Sequence, residues 1–183
     1  TQGPEMCEQM HRLDAALGRF MQALPPGAIL VLSADHGGSD FPERSAVEGY
    51  PHAGRVDRAL QPRVNAALKA RFGLDADPVV SSAGGFVIVD KDRKSLPEPL
   101  RSQVLAAAID LLNAEPQVAL AVARDELLAE PVPNSINPED LSVRERLRLS
   151  AVAGRSPDIL RAWQPGLTGQ GRVGGAISSH GSP

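Results

Sequence analysis

Residues 28–32, Ala28-Ile29-Leu30-Val31-Leu32, form an unbroken apolar run behind Pro25-Pro26-Gly27 and ahead of Ser33-Ala34-Asp35-His36-Gly37-Gly38. A short run without alternation is the pattern of a strand covered on both faces, which places it in a helix-flanked parallel sheet. The exit of such a strand is where α/β folds bind ligands. There a carboxylate and an imidazole, both metal ligands, stand side by side. Consecutive strand residues point to opposite faces, so Asp35 and His36 reach one ion only if the backbone leaves strand geometry. Gly37 and Gly38 make that departure cheap. Read alone, Asp-His-Gly also fits a capping aspartate beside a loop histidine.

A second histidine-glycine pair lies in Ile177-Ser178-Ser179-His180-Gly181-Ser182-Pro183. By itself it fits a surface turn. Its weight comes from Asp35 and His36, because sites in this architecture gather residues from several strand exits. The three residues together suggest part of a metal-dependent hydrolase.

The surroundings read as α/β. Met6, Met10, Leu13, Leu17, Phe20 and Leu24 recur at steps of three and four, which predicts a helix over 5–24. Cys7, among those apolar residues, is expected to be a small buried hydrophobe. His11 reads as a solvated helix residue. Residues 37–54 read as a long functional loop. Val56, Leu60, Val64, Leu68 and Phe72 predict a second helix, kinked at Pro62 or starting there. Residues 79–89 read as extended, with a bend at Gly84-Gly85. A helix over 98–113 and a buried strand over 118–123 complete a β-α-β portion at about 75–125. A proline- and asparagine-rich linker at 130–140, a charged helix at 140–150, a weak strand near 158–163 and a glycine-rich loop at 165–175 follow.

At 183 residues and 42% hydrophobic content the chain suits one domain with a real core. Nineteen basic residues against 22 acidic ones, with 3% aromatics, argue against nucleic-acid binding by phosphate neutralisation or base stacking. One cysteine excludes an internal disulfide and any cysteine-rich zinc knuckle. No stretch approaches the length of a membrane span. Both ends, Thr1 and Pro183, read as cuts through a longer polypeptide, with no signal peptide in view.

Other candidates are weaker. Ser33, Asp35 and His36 lie too close in sequence to meet as a nucleophilic triad, and no nucleophile elbow is present. His52, in Gly49-Tyr50-Pro51-His52-Ala53-Gly54, fits a turn histidine or the wall of a substrate pocket. Lys91 and Arg155 could meet an anionic substrate or simply be solvated. The glycines of 166–175 lack the Gly-Lys-Ser/Thr of a phosphate-cradling loop.

Four stretches in this order resemble the C-terminal portion of the alkaline phosphatase superfamily, most closely its type I phosphodiesterase and nucleotide pyrophosphatase branch. They are Gly3-Pro4 with Leu13-Asp14-Ala15-Ala16-Leu17-Gly18, Ser33-Ala34-Asp35-His36-Gly37, Gly154-Arg155-Ser156-Pro157-Asp158, and Ser179-His180-Gly181-Ser182-Pro183. The resemblance runs the length of the chain. It implies part of an alkaline-phosphatase-like sandwich with a mostly parallel central sheet flanked by helices, plus the β-α-β portion.

The resemblance also implies a two-zinc phosphoric ester hydrolase, acting on monoesters or diesters by in-line transfer to an enzyme hydroxyl. Asp35 and His36 would hold one zinc and His180 would complete the other. The family's nucleophile and its Asp-x-x-x-His pair lie upstream of the Asp-His-Gly loop, so this chain supplies no catalytic nucleophile and is expected to be inactive alone. The implied partners are a small phosphate ester and the N-terminal part of the same protein, and the implied location is periplasmic or secreted. A sulfatase or phosphoglycerate-mutase-like member of the superfamily, or a non-catalytic binding module on the same fold, stands as the alternative.

Overall fold

The structure, a computed structural model, describes residues 3–33, 37–135, 137–169 and 178–180. They form two compact units, Thr1–Asp35 and His36–Pro183.

In the first unit, helix α1 spans Pro4–Ala23. Pro4 sits in its first turn, where the missing N–H costs nothing. Glu8 and Arg12 pair at 2.7 Å one turn apart. The apolar stripe forms as expected, yet no residue of the helix is buried. Cys7 is therefore exposed, not a core residue. Residues 28–32 depart further from expectation. They form no strand, and Ile29 and Leu32 are 89% and 92% exposed. A strand draws its burial and its backbone hydrogen bonds from neighbours, and among the described residues none pairs with this run.

The second unit runs β1 (Gly38–Asp40), α2 (Pro42–Val47), β2 (Gly54–Arg55), α3 (Leu60–Phe72), β3 (Val79–Ser82), β4 (Gly85–Ile88), α4 (Leu100–Asn113), β5 (Val118–Ala123), α5 (Arg124–Ala129), α6 (Val143–Ser150), β6 (Ile159–Trp163), β7 (Leu167–Thr168) and β8 (Ser178–His180), with a 3₁₀ turn at Pro138–Asp140. Four strands make its sheet, in the order β3-β4-β6-β5. Helices α3 and α4 cover one face, where Leu68, Val79, Val104, Leu112 and Ile159 are buried together. On the other face Leu127 of α5 and Leu160 of β6 form a smaller cluster with Val122 and Ala151.

The sheet and its flanking helices are those of an α/β protein, and the β-α-β portion is present as β4-α4-β5. Strand direction is the difference. Every neighbouring pair in this sheet is antiparallel. Strands β4 and β5 do run parallel, but β6, which arrives 35 residues after β5, is inserted between them. The weak strand of the sequence is thus central. A directly parallel pair occurs only in the short β2–β7 ladder among the described strands. Helix α3 starts at Leu60, so Pro62 falls in its first turn and no kink is needed. The six residues after β5 continue as α5.

Local chemistry explains several joins. Gly85 could carry no side chain, since a Cβ would lie 1.8 Å from the Ile159 carbonyl oxygen. Gly84 makes the β3–β4 turn with φ +74°. Ser142 and Glu145 close a capping box on α6. The two edge strands are each clamped by an asparagine. The Asn65 carboxamide donates to Val79 O and accepts from Val79 N, both at 2.9 Å. Asn113 does the same to Ala121, at 2.9 and 2.8 Å. These amides satisfy backbone groups that an edge otherwise leaves open to another strand.

Candidate functional site

Asp35 and His36 lie outside the described residues, as do the side-chain surroundings of His180. What is described is the backbone that carries them. Gly38, two residues after His36, pairs with His180 across the antiparallel β1–β8 ladder, followed by Ser39 with Ser179 and Asp40 with Ser178. The chain segment after Asp-His-Gly and the one ending in His180 are therefore adjacent in space.

The rest of the loop expected over 37–54 is structured, and ion pairs hold it. Arg44 of α2 reaches Asp40 at 3.2 Å and Glu48 at 2.9 Å, at spacings of four on either side. The hydrogen bond to Glu48, with the charge of Asp40, raises the Arg44 pKa above its ordinary value. Arg55 of β2 grips Glu43 with two bonds, at 2.6 and 2.9 Å. That fork lowers the Glu43 pKa and raises that of Arg55. Strand β2 in turn pairs with β7, and Gly54 N donates to Gly166 O at 3.1 Å. A chain of contacts thus runs β8, β1, α2, β2, β7.

This chain encloses a cavity of about 190 Å³, walled by Asp40, Ser45, Tyr50, Ala53, Leu167 and Thr168 among others. Tyr50 is 69% exposed beside it. His52 stands one residue from that wall, exposed in the turn closed by the Ala53 N to Tyr50 O bond at 2.9 Å. It lines a separate cleft of about 470 Å³ with Pro116, Gln164, Pro165 and Leu167. Among the described residues no group of three or more His, Cys, Asp or Glu side chains could hold a metal ion.

Asp158, from the Gly-Arg-Ser-Pro-Asp stretch, has a structural role. Its carboxylate accepts from Ile88 N at 2.8 Å and from Arg101 at 2.7 Å, with Arg124 at 3.5 Å. It ties β4, α4, α5 and the start of β6 together. Arg155 and Lys91 are exposed and join no such cluster. Sequence reading singles out neither Arg44 nor Arg55, and names Asp158 only within the Gly154–Asp158 stretch. The spacing Asp40-Arg44-Glu48 was a usable signal, whereas Arg55–Glu43 and Arg101–Asp158 depend on tertiary folding.

No protein-family model matches the chain. Two curated proteins match it from end to end. It is 37% identical over 191 aligned positions to alkaline phosphatase PhoK of a Sphingomonas species, covering 100% of this chain and 34% of that protein. It is 35% identical over 190 positions to alkaline phosphatase PhoD of Zymomonas mobilis, covering 100% of this chain and 32% of that one. The chain thus spans about a third of the length of these relatives. Crystal structures of alkaline phosphatase PafA, wild type and a mutant, superpose with TM-scores of 0.53 and 0.55 at 20% identity. They cover 80% of this chain and 26% or 25% of theirs, and show a shared fold.

Proposed function

The chain belongs to the alkaline phosphatase superfamily, and from that premise we propose that it is the C-terminal portion of a metal-dependent phosphoric ester hydrolase. The observation that supports the reading is the Gly38–His180 pairing, which sets the segment following Asp-His-Gly beside the one ending in His180. In this reading Asp35 and His36 hold one zinc ion and His180 completes the site of a second. Bound there, such ions lower the pKa of a nucleophilic hydroxyl and draw charge from the phosphoryl oxygens.

The donor set fits that role by chemistry, since carboxylate and imidazole are ordinary zinc ligands. The residues of this chain hold and orient. The Asp40–Arg44–Glu48 and Glu43–Arg55 pairs fix the loop after the Asp-His-Gly segment. The Tyr50–Ala53 turn, with His52 beside it, forms one wall of the space the substrate would enter. The nucleophile belongs to an upstream part of the protein, so the 183 residues alone are inactive. The substrate is a small phosphate ester, and the protein works in the periplasm or outside the cell. Among the described residues no helix is long and apolar enough to cross a membrane.

The test is hydrolysis of p-nitrophenyl phosphate by the intact protein, before and after chelation. Turnover lost with the metal and regained on adding zinc is expected; turnover indifferent to chelation sinks the proposal. p-Nitrophenyl sulfate in the same assay separates a sulfatase, and silence toward both esters favours a binding module.

A further inference from the structure

We infer that the cavity beside the β1–β8 ladder is a subsite for the alcohol portion of the ester, and that it takes an uncharged, single-ring group. The inference rests on the phosphoric ester reading above and narrows its substrate class. The cavity lies within the second unit and has a volume of about 190 Å³. Asp40, in its wall, is the last residue of β1 and pairs with Ser178. Two positions back along the same ladder Gly38 pairs with His180, a step of about 7 Å at the rise of an extended strand. The cavity thus borders the ladder that carries His180.

Size and charge limit what can enter. Pockets that enclose a drug-sized ligand run to roughly 300–1,000 Å³. A cavity of about 190 Å³ suits one ring rather than a base and a sugar together. No Lys, Arg or His lines it among the described residues. Its charge is that of Asp40, whose carboxylate accepts from Phe41 N at 2.9 Å and pairs with Arg44 at 3.2 Å. An alcohol bearing a further phosphate or carboxylate would give up water there without gaining a cation, which is costly. Pro42, Ala53 and Leu167 instead offer apolar surface.

Tyr50 is the selecting residue. It is the chain's one tyrosine, yet it stands 69% exposed in the cavity wall. Its backbone is held on both sides, with Tyr50 N donating to Ser45 O at 3.0 Å and Tyr50 O accepting from Ala53 N at 2.9 Å. A fixed backbone with an uncovered ring is a ready surface for a second ring, which gains both area burial and the aromatic pair itself.

The experiment uses the intact, zinc-loaded protein and compares kcat/KM for phenyl, ethyl and 4-carboxyphenyl phosphate. Comparing ratios between variants cancels the intrinsic reactivity of each ester. Tyr50→Ala should lower the phenyl-to-ethyl ratio by about fivefold, the worth of one aromatic pair. Tyr50→Phe should restore it. The wild type should favour phenyl over 4-carboxyphenyl phosphate several-fold. Saturation-transfer NMR on phenol, with the metal chelated, reads the ring site without turnover. Its signal should fall several-fold in Tyr50→Ala and persist in Tyr50→Phe. Zinc-dependent turnover with one phenyl-to-ethyl ratio in wild type and Tyr50→Ala overturns the ring selection and leaves the hydrolase reading standing. Equal kcat/KM for phenyl and 4-carboxyphenyl phosphate overturns the charge selection. Silence toward every ester defeats the hydrolase reading instead; the ring site is then judged on phenol alone, and equal signals from wild type and Tyr50→Ala overturn it.

Discussion

Gly38 and His180 are paired residues across β1 and β8, although 142 positions separate them in the chain. Strand pairing fixes Cα partners to within a few ångströms, so the segment that follows Asp-His-Gly lies against the segment ending in His180. In the intact protein, His180→Ala should lower bound zinc by one ion per molecule, and Asp35→Ala should lower it by the other. Each should cost orders of magnitude in p-nitrophenyl phosphate turnover, because the proposed reaction uses both charges. His11→Ala, on exposed α1, should change neither. Elemental analysis beside initial rates checks this, and full zinc content in the His180→Ala protein would count against the assignment.

Gly85 offers a sharper test of the fold. A methyl group there would sit 1.8 Å from the Ile159 carbonyl oxygen and 3.0 Å from Pro157 Cγ. Relief requires β4 and β6 to part, and these strands meet only at Gly85–Leu160 and Phe86–Ile159. Gly85→Ala should therefore destabilise by about 3 kcal/mol, the upper end for overpacking. Gly84→Ala meets open space and suffers only its positive φ, so about 1 kcal/mol is expected. Urea melts of the two variants should separate them clearly.

The asparagine clamps give a third. Removing the Asn65 carboxamide leaves Val79 N–H without a partner at a buried edge and its C=O with only the Gln61 amide, at 3.0 Å. Asn65→Ala should cost about 2–3 kcal/mol by lost hydrogen bonds and uncompensated desolvation. Asn113→Ala should cost less, because that site is only partly buried. Asn65→Leu, of similar size, should not recover the loss, which shows that the amide rather than its volume matters. Thermal melting would read all three.

These examples mark what the sequence could and could not disclose. Helices α1, α3, α4 and α6 and strand β5 were legible because each carries its own period or an unbroken apolar run. The Gly84-Gly85 bend was legible as a bend, but only the approach of β6 explains why residue 85 must lack a Cβ. The run 28–32 was misread as a formed strand because apolar pattern reports what a segment could bury, not whether a neighbour is there to cover it. Strand order was hidden for a related reason, since β6 enters between β4 and β5 through long-range pairing. At the candidate site, Asp35, His36 and His180 stood out by residue type. The Glu43–Arg55 fork did not, as nothing in a twelve-residue separation marks a pair.

That fork should make the site region sensitive to acid. Arg55, largely buried at 12% side-chain exposure, holds Glu43 by two hydrogen bonds and depresses its carboxyl pKa below the ordinary 4.5. A carboxylate whose folded pKa is depressed contributes stability that is fully present above its unfolded pKa and is lost as pH falls through the folded value. The anchoring of α2 to β2 should thus be intact at neutral pH and weaken as the pH falls below that ordinary carboxylate value. Glu43→Gln removes the titration: its docking should already be weaker at neutral pH and should change little on acidification through that window. Hydrogen exchange over residues 42–55, followed from pH 7 to pH 3.5 and corrected for intrinsic rates, would show the two profiles. Parallel profiles for the wild type and the glutamine variant would mean that another acid governs the loop.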